Sequence, residues 1–508
     1  MSAERGAVVV LAGMLLGQFM AILDVQVVAS SLAQIQSGTG ASLDEIASVQ
    51  SSYLIAETIA IPLTAYLNVR LGEQRLFIAS CAGFTIVSAL AGLAWSLDSL
   101  VAFRFAQGFI GGAMLPTVMS YAFTTFDKRH RTKLSIALSL AATLAPSIGP
   151  TLGGLVTEAL GWRWLFYINV IPGLAACALA SAPIGPKKIA ANPVPLDKVG
   201  FVIIAVLLSC AQFVLENGQR HQWFESSLIV ALVFAALICL LALIGTYDSS
   251  RHPLLDFSLF RNGPFCAGLV ITFLAGFVIY GGTYLIPVYL QSIRHYSPPQ
   301  VGITMLVSGV TMVVTGLTLS TIVGKLPPLI PVVGGFGVAG VGFWLASSLT
   351  SEWGFWQFAQ VQACRGVGVM VASTVTQTMC VSRLRSDQVP KASGFIYLAR
   401  NLGGAFGLAM LSTLLTRQTA RHEMLLTAHI TDIPEQLPHN PDDGTNPANY
   451  DPLLISTANY SLSGLMNVQA STLAIADLFG WLWVACWLAA AVPLVLQTAT
   501  TGSRKLQP

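Results

Sequence analysis

Apolar residues fall along this chain in long unbroken blocks, without the strict alternation of strands or the narrow stripe of a soluble helix. A helix needs about 20 mostly apolar residues to cross the hydrocarbon of a bilayer. Fourteen such blocks lie near 8–31, 47–67, 75–95, 99–123, 133–157, 163–183, 197–216, 226–247, 264–290, 299–323, 329–349, 355–379, 393–416 and 474–497. The pattern predicts fourteen transmembrane helices; reading the seventh and eighth as one re-entrant pair would leave twelve. Two connections are long. Pro183–Asp197 is Pro-rich and basic and reads as a linker. Thr416–Asp477 holds Pro434, Pro438, Pro441, Pro447 and Pro452 and reads as irregular loop in its middle, turning helical from Asn459 to Ile475.

Charge placement orients the blocks. With the N-terminus inside and the spans alternating, eighteen Lys and Arg fall inside and five outside, and Arg104, Arg365 and Arg400 lie within spans, which accounts for all 26. That bias favours an even number of spans with both termini cytoplasmic. Composition agrees: 54% of the 508 residues are hydrophobic and 10% charged, against about 25% charged in soluble domains. Arg5 before the first apolar run imitates a signal peptide, but the run is long and has no small-x-small site before Asp24, so a retained first helix is expected. The eight cysteines sit in apolar runs without a CxxC pair, and the seven histidines avoid those runs. Neither a metal, a cofactor nor a catalytic centre is expected, and no soluble catalytic domain has room.

The ionisable groups within spans carry the candidate chemistry. Asp24 lies in Phe19–Leu32 (FMAILDVQVVASSL), and a charge there costs about 2.5–3.5 kcal/mol on insertion scales unless it faces a cavity or a partner. Glu57 follows in the second span, one turn before Pro62; it is a second proton site, a counter-charge for cationic compounds, or a carboxyl held by hydrogen bonds in the bundle. Arg104, early in the fourth span, either holds a carboxylate ionised or snorkels to the interface. Glu216 closes the seventh span.

Several motifs surround these residues. Ala65-Tyr-Leu-Asn68-Val-Arg70-Leu-Gly72-Glu-Gln-Arg75 joins spans two and three. Arg104-Phe-Ala-Gln107-Gly108-Phe-Ile-Gly111-Gly112-Ala-Met114-Leu-Pro116 opens span four. Ala145-Pro146-Ser-Ile-Gly149-Pro150-Thr-Leu-Gly153-Gly154 lies in span five, where prolines weaken backbone bonding and glycines admit a neighbouring helix. Trp162-Arg163-Trp-Leu-Phe166-Tyr-Ile-Asn169 leads into span six, and Ala399-Arg400-Asn401-Leu-Gly403-Gly404-Ala-Phe-Gly407 lies in span thirteen.

In order and spacing these segments resemble the major facilitator superfamily, and Leu23-Asp24, the span-five motif, Leu215-Glu216-Asn-Gly218 and the Arg400 segment resemble its fourteen-span drug:proton antiporter group, the EmrB/QacA type. Ala65 and Asn68 depart from the usual Gly and Asp of the loop signature, and Gln26 and Ser30 from the span-one pattern. The resemblance implies an all-α membrane protein with the major facilitator fold: a six-helix bundle at 1–183, a linker with two extra helices at 184–262, and a second bundle at 263–508 carrying the 416–477 loop. It implies proton-driven export of lipophilic toxic compounds across the inner membrane by alternating access. Asp24, Glu57, Arg104 and Glu216 are the proton-coupling candidates, and Asp24→Asn is expected to abolish proton drive while leaving expression intact. Gln26, Gln107, Met114, Tyr284, Gln291 and Asn401 are picked for the substrate cavity. Import or export of one metabolite on the same fold remains the alternative. The partners implied are a small molecule, protons, the lipid bilayer and, in a two-membrane cell, a periplasmic adaptor with an outer-membrane channel; no nucleic acid is expected.

Overall fold

The computed structural model describes residues 3–42, 45–183, 195–247, 254–322, 326–431 and 452–504. In these the order is α1 (Ala3–Ser30), α2 (Leu32–Thr39), α3 (Ala47–Leu71), α4 (Glu73–Gly92), α5 (Leu97–Gly111), α6 (Met114–Thr125), α7 (Arg131–Leu160), α8 (Trp164–Tyr167) and α9 (Val170–Ala180). Then come α10 (Lys198–Asn217), α11 (Ser227–Tyr247), α12 (Gly263–Ser292), α13 (Pro298–Ile322), α14 (Leu329–Ala346), α15 (Phe355–Val381), α16 (Val389–Thr431) and α17 (Pro452–Arg504). Each of the fourteen predicted spans coincides with one helix or with two short ones. Among the described residues eleven helices are long and apolar enough to cross a bilayer, and Trp164–Ala180 is a shorter apolar one.

Helix breaks occur where the sequence supplies a reason. Span four divides into α5 and α6 around Gly111-Gly112-Ala113, and span six divides into α8 and α9 at Ile168-Asn169, ahead of Pro172. The α3–α4 turn requires its glycine: Gly72 has φ +80° and ψ +147°, a region closed to side chains with a Cβ. By contrast α7 stays continuous through Pro146 and Pro150.

One apolar core is drawn wholly from residues between Leu23 and Phe166 and another wholly from residues between Ile271 and Ala490. A third joins both parts of the chain on the side of the basic loops, where Val10 and Met119 share a cluster with Phe265 and Tyr397. Lipid is the solvent for α11: Phe234, Ile238, Leu241 and Ile244 are 61–66% exposed, a run that water would not tolerate.

The 416–477 loop is shorter than its polarity suggests. Helix α16 continues to Thr431 and α17 already begins at Pro452. Leaving the hydrocarbon does not end a helix by itself, and no Pro or Gly lies between Gly407 and Thr431. His422 on α16 meets Asp477 on α17 at 2.9 Å. The middle of the predicted loop, 432–451, and most of the Pro183–Asp197 linker lie outside the described residues.

Candidate functional site

Asp24 lies on α1 with 1% of its surface exposed. A Ser96–Ser99 capping box starts α5, which sets Arg104 two turns into that helix. Arg104 Nη1 stands 2.5 Å from Asp24 Oδ2 and 2.8 Å from Gln107 Oε1. On the other oxygen, Oδ1, Gln107 Nε2 donates at 3.2 Å and Asn169 Nδ2 at 2.6 Å. The α8–α9 break is what delivers Asn169, which also donates to Ser88 Oγ at 3.0 Å. Arg104 itself is 0% exposed, with its guanidinium carbon 4.2 Å from the centre of the Tyr53 ring. It points inward and does not snorkel. Arg104, Gln107 and Asn169 all donate to the carboxyl, a shell complementary to a carboxylate. Gln107, chosen for the substrate cavity, is instead committed to Asp24.

Glu57 is placed differently. It lines a central cavity with Gln26, Tyr280, Tyr397, Arg400 and Asn401. The backbone of α3 is brought there by glycines: a Cβ on Gly108 would strike the Tyr53 carbonyl oxygen, and one on Gly112 would stand 2.7 Å from that of Glu57. Tyr53, fully buried, occupies the α3 turn before Glu57 and places its ring against Arg104, the partner of Asp24. The cavity measures about 30 Å³. That holds a water or two and falls far short of the roughly 300–1,000 Å³ of a drug-sized site. In this conformation the centre is closed around water-scale space.

Of the other cavity picks, Met114 is buried against Gly17 of α1, Tyr284 packs into the core of the last helices, and Gln291 is exposed. None of the three lines the central cavity. Glu216 lies on α10, where Gln212 Nε2 donates to its Oε1 at 2.6 Å.

The motif residues act mainly as contact surfaces. On α7 a Cβ at Gly149 would strike Gln26, and one at Gly153 would meet Ser30 Oγ and the Val27 carbonyl; Gly154 faces Pro298 of α13. The segment thus seats α7 against both the Asp24 helix and α13, while Pro146 reaches the cavity. Gly153→Leu would force backbone apart at Val27, an overpacking cost of about 1–3 kcal/mol. A lowered unfolding midpoint in detergent is the expected result, and an unchanged midpoint would contradict this packing. On α16, Gly403 and Gly404 face Phe273 and Tyr280 of α12, and the Arg400 carbonyl abuts Gly276.

In the α3–α4 loop Arg70 and Arg75 are exposed, with Arg70 donating to Tyr66 at 2.9 Å. Asn68 is buried and accepts from Thr117 at 3.1 Å. The buried acid of this loop is Glu73, which accepts from Ser120 at 2.9 Å and Thr124 at 2.8 Å in the first turn of α4. Sequence reasoning assigned no role of their own to Glu73, Asn169, Tyr53 and two arginines. Arg131 donates to the Val381 and Ser382 carbonyls at 2.9 and 3.1 Å, tying α7 to the end of α15. Arg365, 2% exposed, donates to Thr283 and Ser308, both at 3.2 Å. The signal for Asn169 was a lone amide in an apolar run; for Arg365, a lone cation in one.

Comparison with known proteins follows the same lines. The profile described as Major Facilitator Superfamily matches residues 14–408. The chain is 34% identical over 433 residues to the colistin resistance protein EmrB of Acinetobacter baumannii, covering 83% of each. It is 30% identical over 440 residues to the multidrug export protein EmrB of Haemophilus influenzae, covering 86% of this chain and 85% of that one. In three dimensions it resembles the human organic anion transporter MFSD10 (TETRAN), with a TM-score of 0.58, 12% identity, and coverage of 94% of this chain and 99% of that one.

Proposed function

The chain belongs to the Major Facilitator Superfamily, and from that premise we propose that it is a proton-driven exporter of lipophilic toxic compounds across the bacterial inner membrane, working by alternating access. Its relatives' names support the cargo: a multidrug export protein and a colistin resistance protein, both aligned over most of the chain. The observation that carries the coupling is the division of labour between two acids. Glu57 meets the central cavity, where a proton and a substrate can compete for the same space. Asp24 is held behind it by Arg104, Gln107 and Asn169, as a latch whose partners change when helices tilt.

The described conformation is tied on the basic-loop side. Besides the Arg131 contacts, Gln18 Nε2 on α1 donates to Tyr397 on α16 at 3.3 Å, and Thr378 on α15 donates to Ser135 on α7 at 2.8 Å. These ties must part before a drug-sized molecule enters from the cytoplasm. We assign the two halves, 1–183 and 263–508, to the rocking units, with α10 and α11 at their flank. A substrate arriving from the cytoplasm displaces the Glu57 proton inward; opening to the far side releases the substrate and reloads the proton. One charge moving down 100 mV supplies about 2.3 kcal/mol, enough for roughly a fifty-fold gradient, since 1.4 kcal/mol is tenfold. In a two-membrane cell the extensions of α16 and α17 beyond the bilayer offer a docking surface for a periplasmic adaptor and its outer-membrane channel. Both termini lie in the cytoplasm on this reading.

Inside-out vesicles test the proposal. An imposed inward-acid gradient should drive accumulation of a fluorescent lipophilic compound, and a protonophore should abolish it. Accumulation equal to that of vesicles lacking the protein would reject export; movement in the opposite direction would favour import of a metabolite.

A further inference from the structure

On the side opposite the basic loops a second cavity opens between α3, α5 and α10. It measures about 550 Å³, and Ser48, Ser51, Ser52, Asn217, Arg220 and His221 give it a polar lining on an apolar frame of Phe105 and Phe213. It differs from the central cavity in size, in position and in being built partly from α10, one of the two helices outside the twelve-span core. α10 packs against both α3 and α16, and just beyond it Trp223 Nε1 donates to Thr413 on α16 at 3.0 Å, closing the flank beside this vestibule.

Beneath it lies a carboxyl that the transport cycle described above leaves unused. Glu216 Oε1 accepts from Gln212, while Oε2 is buried with no hydrogen-bond partner among the described residues. A buried oxygen left unsatisfied is costly, more so when it carries charge, so a proton or a water is favoured there. Ser51 lines the vestibule on α3, and Phe213 and Asn217, on either side of Glu216 in the sequence, line it on α10. α10 packs along α3, where Glu57 stands less than two turns beyond Ser51 and borders the central cavity. The charged and titratable groups on this path are Arg220 and His221, which line the vestibule just past the end of α10, and Glu57 on α3.

We propose that this vestibule is the outer proton route: protons pass from bulk water by Ser51 to Glu216 and from Glu216 to Glu57, so that α10 supplies a relay to the central cavity. Each step moves one proton from an acid to a carboxylate and restores the donor for the next, with water as the only other participant. This rests on the exporter reading, and the test separates the two. It gives the extra helix pair a task in coupling, distinct from substrate passage.

The experiment uses reconstituted full-length protein and two assays on the same vesicles. One is proton-driven accumulation of a fluorescent lipophilic compound; the other is exchange of that compound between equal pools, which needs no net proton transfer. Glu216→Gln should lower driven accumulation at least tenfold and leave exchange within twofold, and Glu216→Asp should restore part of the drive. As an independent arm, Ser52→Cys treated from the vestibule side with a membrane-impermeant thiol reagent should show the same split, with Ser52→Cys before treatment as reference. Wild-type accumulation with either perturbation, or loss of exchange in step with drive upon Ser52→Cys labelling, overturns the relay. If Glu216→Gln loses exchange through misfolding, the labelled Ser52→Cys protein decides between relay and no relay. A wild-type protein without any proton-driven accumulation refutes the exporter reading instead.

Discussion

Asp24→Asn is expected to destabilise the folded protein by about 3–5 kcal/mol, the usual cost of removing one member of a buried ion pair. The reason lies in what stays behind. Arg104 is 0% exposed and its Nη2 already lacks a partner among the described residues; without Asp24 it loses its ion-pair partner, and an amide replaces one acceptor oxygen with a donor facing Asn169 or Gln107. The sequence alone suggested intact expression for this variant, and the donor shell around Asp24 argues against that. Arg104→Gln in the Asp24→Asn background should recover a large part of the loss, because it removes the orphaned charge. Unfolding midpoints of the four proteins in detergent form the double-mutant cycle that measures this. Equal midpoints for Asp24→Asn and wild type would mean that the pair is open in solution.

Glu57→Gln is expected to act on coupling with little effect on folding. Its carboxyl borders the central cavity and takes part in no ion pair among the described salt bridges, so an amide of the same shape fits. With the exchangeable proton gone, accumulation at 100 mV should fall from roughly fifty-fold to near unity, by the same 2.3 kcal/mol arithmetic. Exchange between equal substrate pools should continue. Accumulation at the wild-type level would remove Glu57 from the coupling scheme and shift the task to another acid.

Much of the architecture could be read directly. Each of the fourteen apolar blocks coincides with a helix or a helix pair, because hydrocarbon thickness and the need to satisfy backbone groups leave few alternatives. Gly108, Gly112, Gly149 and Gly153 could be read as close-packing points, and each one abuts α3 or α1 at or near an acid-bearing turn. What could not be read was which polar residues share a partner. Gln26 and Gln107 looked alike as amides in spans; one faces the cavity and the other is bound to Asp24. That difference depends on helix rotation, which hydropathy does not encode when both faces are apolar. Asn169 was legible as the end of the Trp162–Asn169 motif but not as a partner of Asp24, because that contact requires the α8–α9 break. The helical stretch expected from Asn459 falls within α17, whereas the extension of α16 to Thr431 was missed because polarity marks where the bilayer ends, while helix propensity decides where the helix does.

The central claim is that substrate and proton compete at the cavity-facing acid. Stopped-flow measurement of proton release from detergent-solubilised protein in weakly buffered solution tests it directly. Adding a saturating lipophilic substrate to wild type should release protons, up to about one per molecule, and Glu57→Gln should release none while still binding the compound. Release from Glu57→Gln equal to wild type, or substrate binding to wild type with no proton set free, would contradict the account.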